Sequence, residues 1–169
     1  MKKMKLTLVL LLLTTAPLLA QNYKTGIGLR GGYVYGLTIK HFVNNKSAIE
    51  GIISPRWDGI LLTGLYEKHT TAFKVPQLQF YGGIGAHVGF WDYSDHDHHH
   101  HPWFDNDHHH HDDHHTVLGA DLVLGLEYTF REIPFAVGID WKPGMNLVGH
   151  QGIWLGDVAF NARFLISNL

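Results

Sequence analysis

A period of two in apolar residues constrains this chain more than any other feature. In residues 77–91, Leu78, Phe80, Ile84, Ala86, Val88 and Phe90 fall on one face, and Gln77, Gln79, Tyr81, His87 and glycines fall on the other. Residues 116–130 repeat the pattern, with Leu118, Ala120, Leu122, Leu124, Leu126, Tyr128 and Phe130 set against Asp121, Glu127 and Thr129. Near the C-terminus, Trp154, Val158, Phe160, Ala162, Phe164 and Ile166 oppose Asp157, Asn161 and Arg163. Residues 135–142 set Phe135, Val137, Ile139 and Trp141 against Asp140 and Lys142. A helix would scatter such positions around its circumference, whereas a strand sorts them to two faces. Fainter alternation places further strands at 25–32, 37–43, 47–56 and 59–68. The expectation is an all-β chain of eight antiparallel strands.

The connections alternate in kind. Asn44-Asn45-Lys46-Ser47, the stretch from His69 to Lys74 and Arg131-Glu132-Ile133-Pro134 are short polar turns at one end of the sheet. Short connections near Val34 and Asp58, the long segment 92–115 and the stretch 143–153 fall at the other. Short turns at one end and longer loops at the other are the habit of up-and-down transmembrane barrels, for which eight strands is a common small size.

A soluble sandwich or lipocalin-like barrel would alternate too, with the apolar face inward. Two features favour the inverse arrangement. The apolar face carries aromatics near strand ends (Tyr33, Trp57, Phe90, Phe130, Phe135, Trp141, Trp154, Phe164), as interfacial girdles require. The polar face is rich in glycine and balances Arg30, Lys40, Arg56, Lys142 and Arg163 against Glu50, Glu67, Asp121, Glu127, Asp140 and Asp157. That composition suits a crowded lumen tied by ion pairs. A soluble exterior would carry more lysine than the six found after residue 20.

The N-terminus fits this destination. Lys2, Lys3 and Lys5 precede an apolar run from Leu6 to Leu13, and Ala16-Pro17-Leu18-Leu19-Ala20 offers a cleavage region before Gln21. Residues 1–20 therefore read as a cleaved export signal, too short in its apolar run to span a bilayer. Residues 21–169 form one domain of 149 residues with a formal charge of −5. No cysteine is present, so disulfides and thiolate chemistry are excluded. Without a basic patch, nucleic acid is not an expected partner.

The segment YGLTIKHFVNNKSAIEGIISPRWDGILLTGLYE, residues 35–67, together with YGGIGAHVGFW and LGLEYTF, resembles the small outer-membrane β-barrel domains of the OmpA/OmpX kind. The resemblance covers nearly all of residues 25–166. It implies an eight-stranded barrel in the outer membrane of a Gram-negative bacterium, with membrane lipid as its surroundings. It is nearly silent on activity, because the fold hosts adhesins, enzymes and structural proteins alike. Such barrels often end on an aromatic residue, whereas this chain ends Ile166-Ser167-Asn168-Leu169.

Residues 92–115, DYSDHDHHHHPWFDNDHHHHDDHH, are the compositional outlier. They hold eleven of the 15 histidines and seven aspartates, with no Lys or Arg. The candidate metal ligands are His96, His98, His99, His100, His101, His108, His109, His110, His111, His114 and His115, with Asp95, Asp97, Asp107, Asp112 and Asp113. Imidazole and carboxylate suit zinc, nickel and copper, and so dense a tract can gather three or four of them around an ion. The repeated HHHH runs impose no fixed geometry, so interchangeable binding is expected rather than a catalytic centre. Outside loops also tolerate insertions, which leaves open a hydrophilic loop with no ligand at all. Imidazoles titrating near pH ~6.5 would move the tract from strongly negative toward positive under mild acid.

Other chemistry is sparse. His87 belongs to the lumen row and is expected to hydrogen-bond Tyr81 or an acidic partner, while His41 and His69 fall near strand ends. After the signal the only serines are Ser47, Ser54, Ser94 and Ser167, none in a G-x-S-x-G elbow or beside an evident His/acid pair. The chain is thus expected to be neither a lipid-modifying enzyme nor, with eleven lumen charges, an open pore. It needs no cofactor. Its expected partners are lipid and, through the tract, metal ions or surface polymers. Oligomeric state is not legible.

Overall fold

Alternation governs the backbone throughout. The computed structural model describes residues 24–56, 59–92, 114–148 and 152–166. The export-signal segment 1–20 and most of the histidine tract, residues 93–113, lie outside the described residues. The described residues form ten strands: β1 Thr25–Gly32, β2 Gly36–Asn44, β3 Ser47–Arg56, β4 Gly59–Thr71, β5 Leu78–Asp92, β6 His114–Thr129, β7 Phe135–Trp141, β8 Gly144–Val148, β9 Ile153–Trp154 and β10 Val158–Ile166. They pair antiparallel in the order β5-β4-β3-β2-β1-β10-β7-β6-β8-β9, and β5 also pairs with β6, which closes the barrel.

Those ten strands make eight staves. Trp141 faces Leu124 and Gly144 faces Asp121, so β8 continues β7 along β6 without a change of register. The interruption is Pro143, whose carbonyl accepts the Leu122 N–H at 2.9 Å but which has no N–H to return. The eighth stave, β9 and β10, does change register: Trp141 faces Val158, but Gly144 faces Trp154. One extra residue sits between the two pairs, a bulge at 155–157.

These details correct the sequence reading in three places. The stretch 143–153 is not a plain connection, because most of it is the upper arm of the last hairpin. Trp154 is not on the outer face, because the extra residue reverses its side and brings its ring 5.0 Å from the lumen ring of His87. His69 is not in a turn, because β4 runs on to Thr71 and leaves 72–77 as the connection. The strands expected at 25–32, 37–43, 47–56 and 59–68 all form.

The tilt of the barrel follows from its register. A walk from partner to partner leaves β7 at Ala136 and passes Arg163, Gly28, Thr38, Ile52, Thr63, His87 and Gly119. It returns to the same stave at Asn146, ten residues further on. With a rise of about 3.3 Å per residue and about 4.8 Å between strands, a shift of ten over eight strands tilts them about 40° from the axis. At eight strands the interior is just wide enough for side chains to fill.

The two faces differ completely. Leu29 is 63% exposed and Phe160 70%, whereas Arg30, Lys40, Glu67, Asp157 and Arg163 are buried inside. Inward Ile52, Leu65, Tyr81 and Val123 form an apolar cluster amid these charges. The short turns are built locally. Asn44 Oδ1 accepts the Lys46 N–H at 2.9 Å, and the 72–77 connection places Phe73 and Lys74 at φ 50° and 60°.

Candidate functional site

The lumen chemistry is built by same-side residues of neighbouring staves. Toward the turn end, Lys40 Nζ lies 2.8 Å from Glu67, 3.1 Å from Glu50 and 3.6 Å from Glu127. Arg163 spans Glu50 and Glu127, its two terminal nitrogens each 2.5 Å from a carboxylate oxygen. The Thr38 hydroxyl donates to Glu50. His69 sets Nε2 3.1 Å from Glu67 and Nδ1 3.0 Å from Gln79. Its ring stacks on Tyr81 at 5.0 Å, and the ammonium of Lys40 stands 4.0 Å from the centre of the same Tyr81 ring.

A second group occupies the other half. Arg30 reaches Asp140 at 2.7 Å and Asp157 at 3.0 Å, and Lys142 lies 3.2 Å from Asp157 and 3.3 Å from Asp121. His87 places Nδ1 2.7 Å from Asp121 and Nε2 3.0 Å from Asn146 Oδ1. Asp140 joins the halves, accepting from the Tyr81 hydroxyl at 3.4 Å and from the Asn161 amide at 2.5 Å. Every carboxylate of the predicted lumen row therefore meets a cationic or histidine side chain, and Arg30, Lys40, Lys142 and Arg163 are the cations. Arg56 lies in β3, but its side chain is not among those described.

Such burial is tolerable only when the charges are paired and hydrogen-bonded, since desolvating each ion costs several kcal/mol in typical proteins. Packing enforces the pairing. His87 faces Gly119 and Tyr81 faces Gly125 across the β5–β6 ladder. A Cβ on Gly119 would lie 2.2 Å from His87 Cε1, and one on Gly125 would lie 2.3 Å from Tyr81 Cζ. Each lumen ring thus lies against a backbone that only glycine leaves open.

The upper rim adds a tip. Val34, between β1 and β2, is buried, with its carbonyl accepting from Arg30 Nη1 and its N–H donating to Asp157 at 3.3 Å. The same ion pair that fills the lumen thereby fixes the nearest outside connection.

Of the residues expected to bind metal, His114 and His115 open β6, where their backbones pair with Asp92 and Trp91. His96, His98 to His101, His108 to His111, Asp95, Asp97, Asp107, Asp112 and Asp113 lie outside the described residues. Both ends of the tract are thus held side by side on adjacent staves, at the end opposite the tight turns. Among the described residues no group of three or more His, Cys, Asp or Glu side chains is disposed to hold a metal ion. His87 was expected in the lumen with Tyr81 or an acid, and the acid is Asp121. His69 was missed, although parity along β4 (Thr63, Leu65, Glu67, His69) would have found it.

Comparison of the sequence with family models and with curated proteins finds no match. Among solved structures, the N-terminal β-barrel domain of Pseudomonas aeruginosa OprF superposes with a TM-score of 0.57, at 16% identity. The match covers 84% of this chain and 95% of that domain. The likeness is one of fold. It agrees with the OmpA-like architecture that the motifs at 35–67 implied, and it extends over nearly the whole of the OprF barrel domain.

Proposed function

We propose that this protein is a non-enzymatic barrel of a Gram-negative outer membrane, closed to solutes, which displays the His/Asp tract outside the cell. The observation that carries this reading is the inversion of the strands: charge buried within, apolar side chains exposed without. Exposed Ile, Leu, Phe and Val on every long strand need an apolar solvent, and a closed barrel leaves no unpaired edge for lipid to meet. The likeness to the OprF barrel domain supports the same placement. After detergent extraction, the protein should migrate faster in unheated gels than in heated ones. A mobility indifferent to heating would count against a membrane barrel. In planar bilayers the lumen ion pairs should hold conductance at baseline, and steady single-channel steps would overturn the closed-lumen reading.

The composition of the tract, eleven histidines and seven aspartates within residues 92–115, favours a role in metal capture. Asp92 faces His114 across the β5–β6 ladder, so the ligand-rich residues between them leave and re-enter the barrel at one point of the outer rim. Zinc, nickel or copper titrated calorimetrically should bind the intact protein and fail to bind a variant lacking residues 95–115. Equal binding by both would leave the tract as an inert surface loop on a structural or adhesive barrel.

A further inference from the structure

The exposed charges of the described residues gather at one end. Among the described residues, the exposed charged side chains are Lys24, Lys46, Lys68, Lys74, Arg131 and Glu132, five cations against one anion. All belong to the turn end. Lys24 precedes β1 and accepts the Phe42 N–H at its carbonyl, at 2.7 Å. Lys46 occupies the β2–β3 turn, and Lys68 faces Ser47 just above that turn. Lys74 lies in the β4–β5 connection and Arg131 in the β6–β7 connection. The tract 92–115, whose ends Asp92 and His114 pair at the opposite end of the barrel, holds seven aspartates and no Lys or Arg in its sequence.

Beside these cations stands an aromatic belt. Phe73, Phe80, Tyr128, Phe135 and Phe164 are exposed at the same end, Phe73 at 83%. Aromatic side chains exposed next to long cationic ones mark the depth of lipid headgroups, where the rings lie at the boundary and the charges reach outward. The cations come from the approach to β1 and from all three turns, so they surround the barrel and do not converge on one pocket. A single soluble ligand would require convergence, whereas a ring matches a two-dimensional layer of separate anions.

We infer that the turn end carries a cationic collar that binds the phosphate headgroups of anionic phospholipids in the adjoining leaflet. The inference rests on the membrane-barrel reading above and adds to it a lipid class and a leaflet. Long side chains beside a headgroup plane attract anionic lipid, and salt screens that attraction.

The test uses the refolded protein in phosphatidylcholine bilayers containing phosphatidylglycerol, with spin-labelled lipids reporting the immobilised shell. Phosphatidylglycerol should enter that shell about threefold more readily than phosphatidylcholine at low salt, and about equally in 1 M NaCl. The combined variant K46Q/K68Q/K74Q/R131Q should lose the preference at low salt. If that variant does not fold, the turn variants K74Q and R131Q taken singly should each lower it. No preference in the native protein, or a preference that survives neutralisation or 1 M salt, overturns the collar. Pelleting with an anionic cell-wall polymer in the absence of any lipid preference overturns it in favour of that polymer. Failure to immobilise any lipid at all is a different outcome, which instead removes the membrane reading on which the collar rests.

Discussion

The inner and outer faces of these strands are made by the same backbone, one residue apart, and obey different rules. On β2, Ile39 is half exposed on the outside while Lys40 is wholly buried inside. The outer face asks only for apolar bulk, so many residues would serve at each position. The inner face is specific by partners: Arg163 meets Glu50 across 113 residues of sequence, and removing either side chain unbalances the network they share with Lys40 and Glu127. Tolerance on one face and dependence on the other is what the inverted barrel teaches.

The comparison is broken most severely by removing a cation that several acids share. Lys40→Met leaves Glu50, Glu67 and Glu127 with only Arg163 and His69 as cationic or imidazole partners, and should cost about 3–5 kcal/mol, read as a lowered urea midpoint in micelles or vesicles. A loss below about 1 kcal/mol would show that the network does not govern stability. Next in size is a charge placed on the outer face. Leu29→Arg should cost roughly 2–4 kcal/mol in a lipid bilayer, if that position lies near its midplane, and almost nothing if the outer face meets water.

A matched pair of glycines sharpens the contrast further. Gly119→Ala drives a methyl into the His87 ring and should cost about 1–3 kcal/mol by overpacking. Gly64→Ala, on the outer face with nothing within 4 Å of the added carbon, should change stability by no more than about 1 kcal/mol and in the favourable direction. Equal effects at the two sites would mean that the faces are not distinct. Smallest of all, Ile39→Leu outside should fall within about 0.5 kcal/mol of the parent, measured by the same unfolding curves.

Parity made the fold legible. Each strand announced its two faces locally, so Leu118 to Tyr128 and Asp121 to Glu127 could be assigned without any partner. The pairing inside was not legible, because it depends on the shift of ten residues around the barrel, which no single strand encodes. Trp154 was misplaced because one extra residue at 155–157 reverses the count, and a bulge of that kind has no strong local signature. The stretch 143–153 was misread because Pro143 and Gly144 look like a stop, yet the closed barrel keeps its register through them. His69 was assigned to a turn because its polar neighbours resemble one. The tract at 92–115 was read from composition, and its two anchoring strand ends are what the fold adds.

The pairing of Asp92 with His114 has a consequence for how such a protein can change over generations. Two points held side by side on adjacent strands form a socket whose geometry is fixed by the ladder and not by whatever chain joins them. Closing a flexible chain between fixed ends becomes harder only slowly with length, by about 0.6 kcal/mol for each doubling. Codons for histidine and aspartate can therefore be gained or lost between these two residues with little effect on the folding of the barrel. The number of histidines and aspartates carried by the tract is free to drift, or to be selected, independently of the structure that holds its ends.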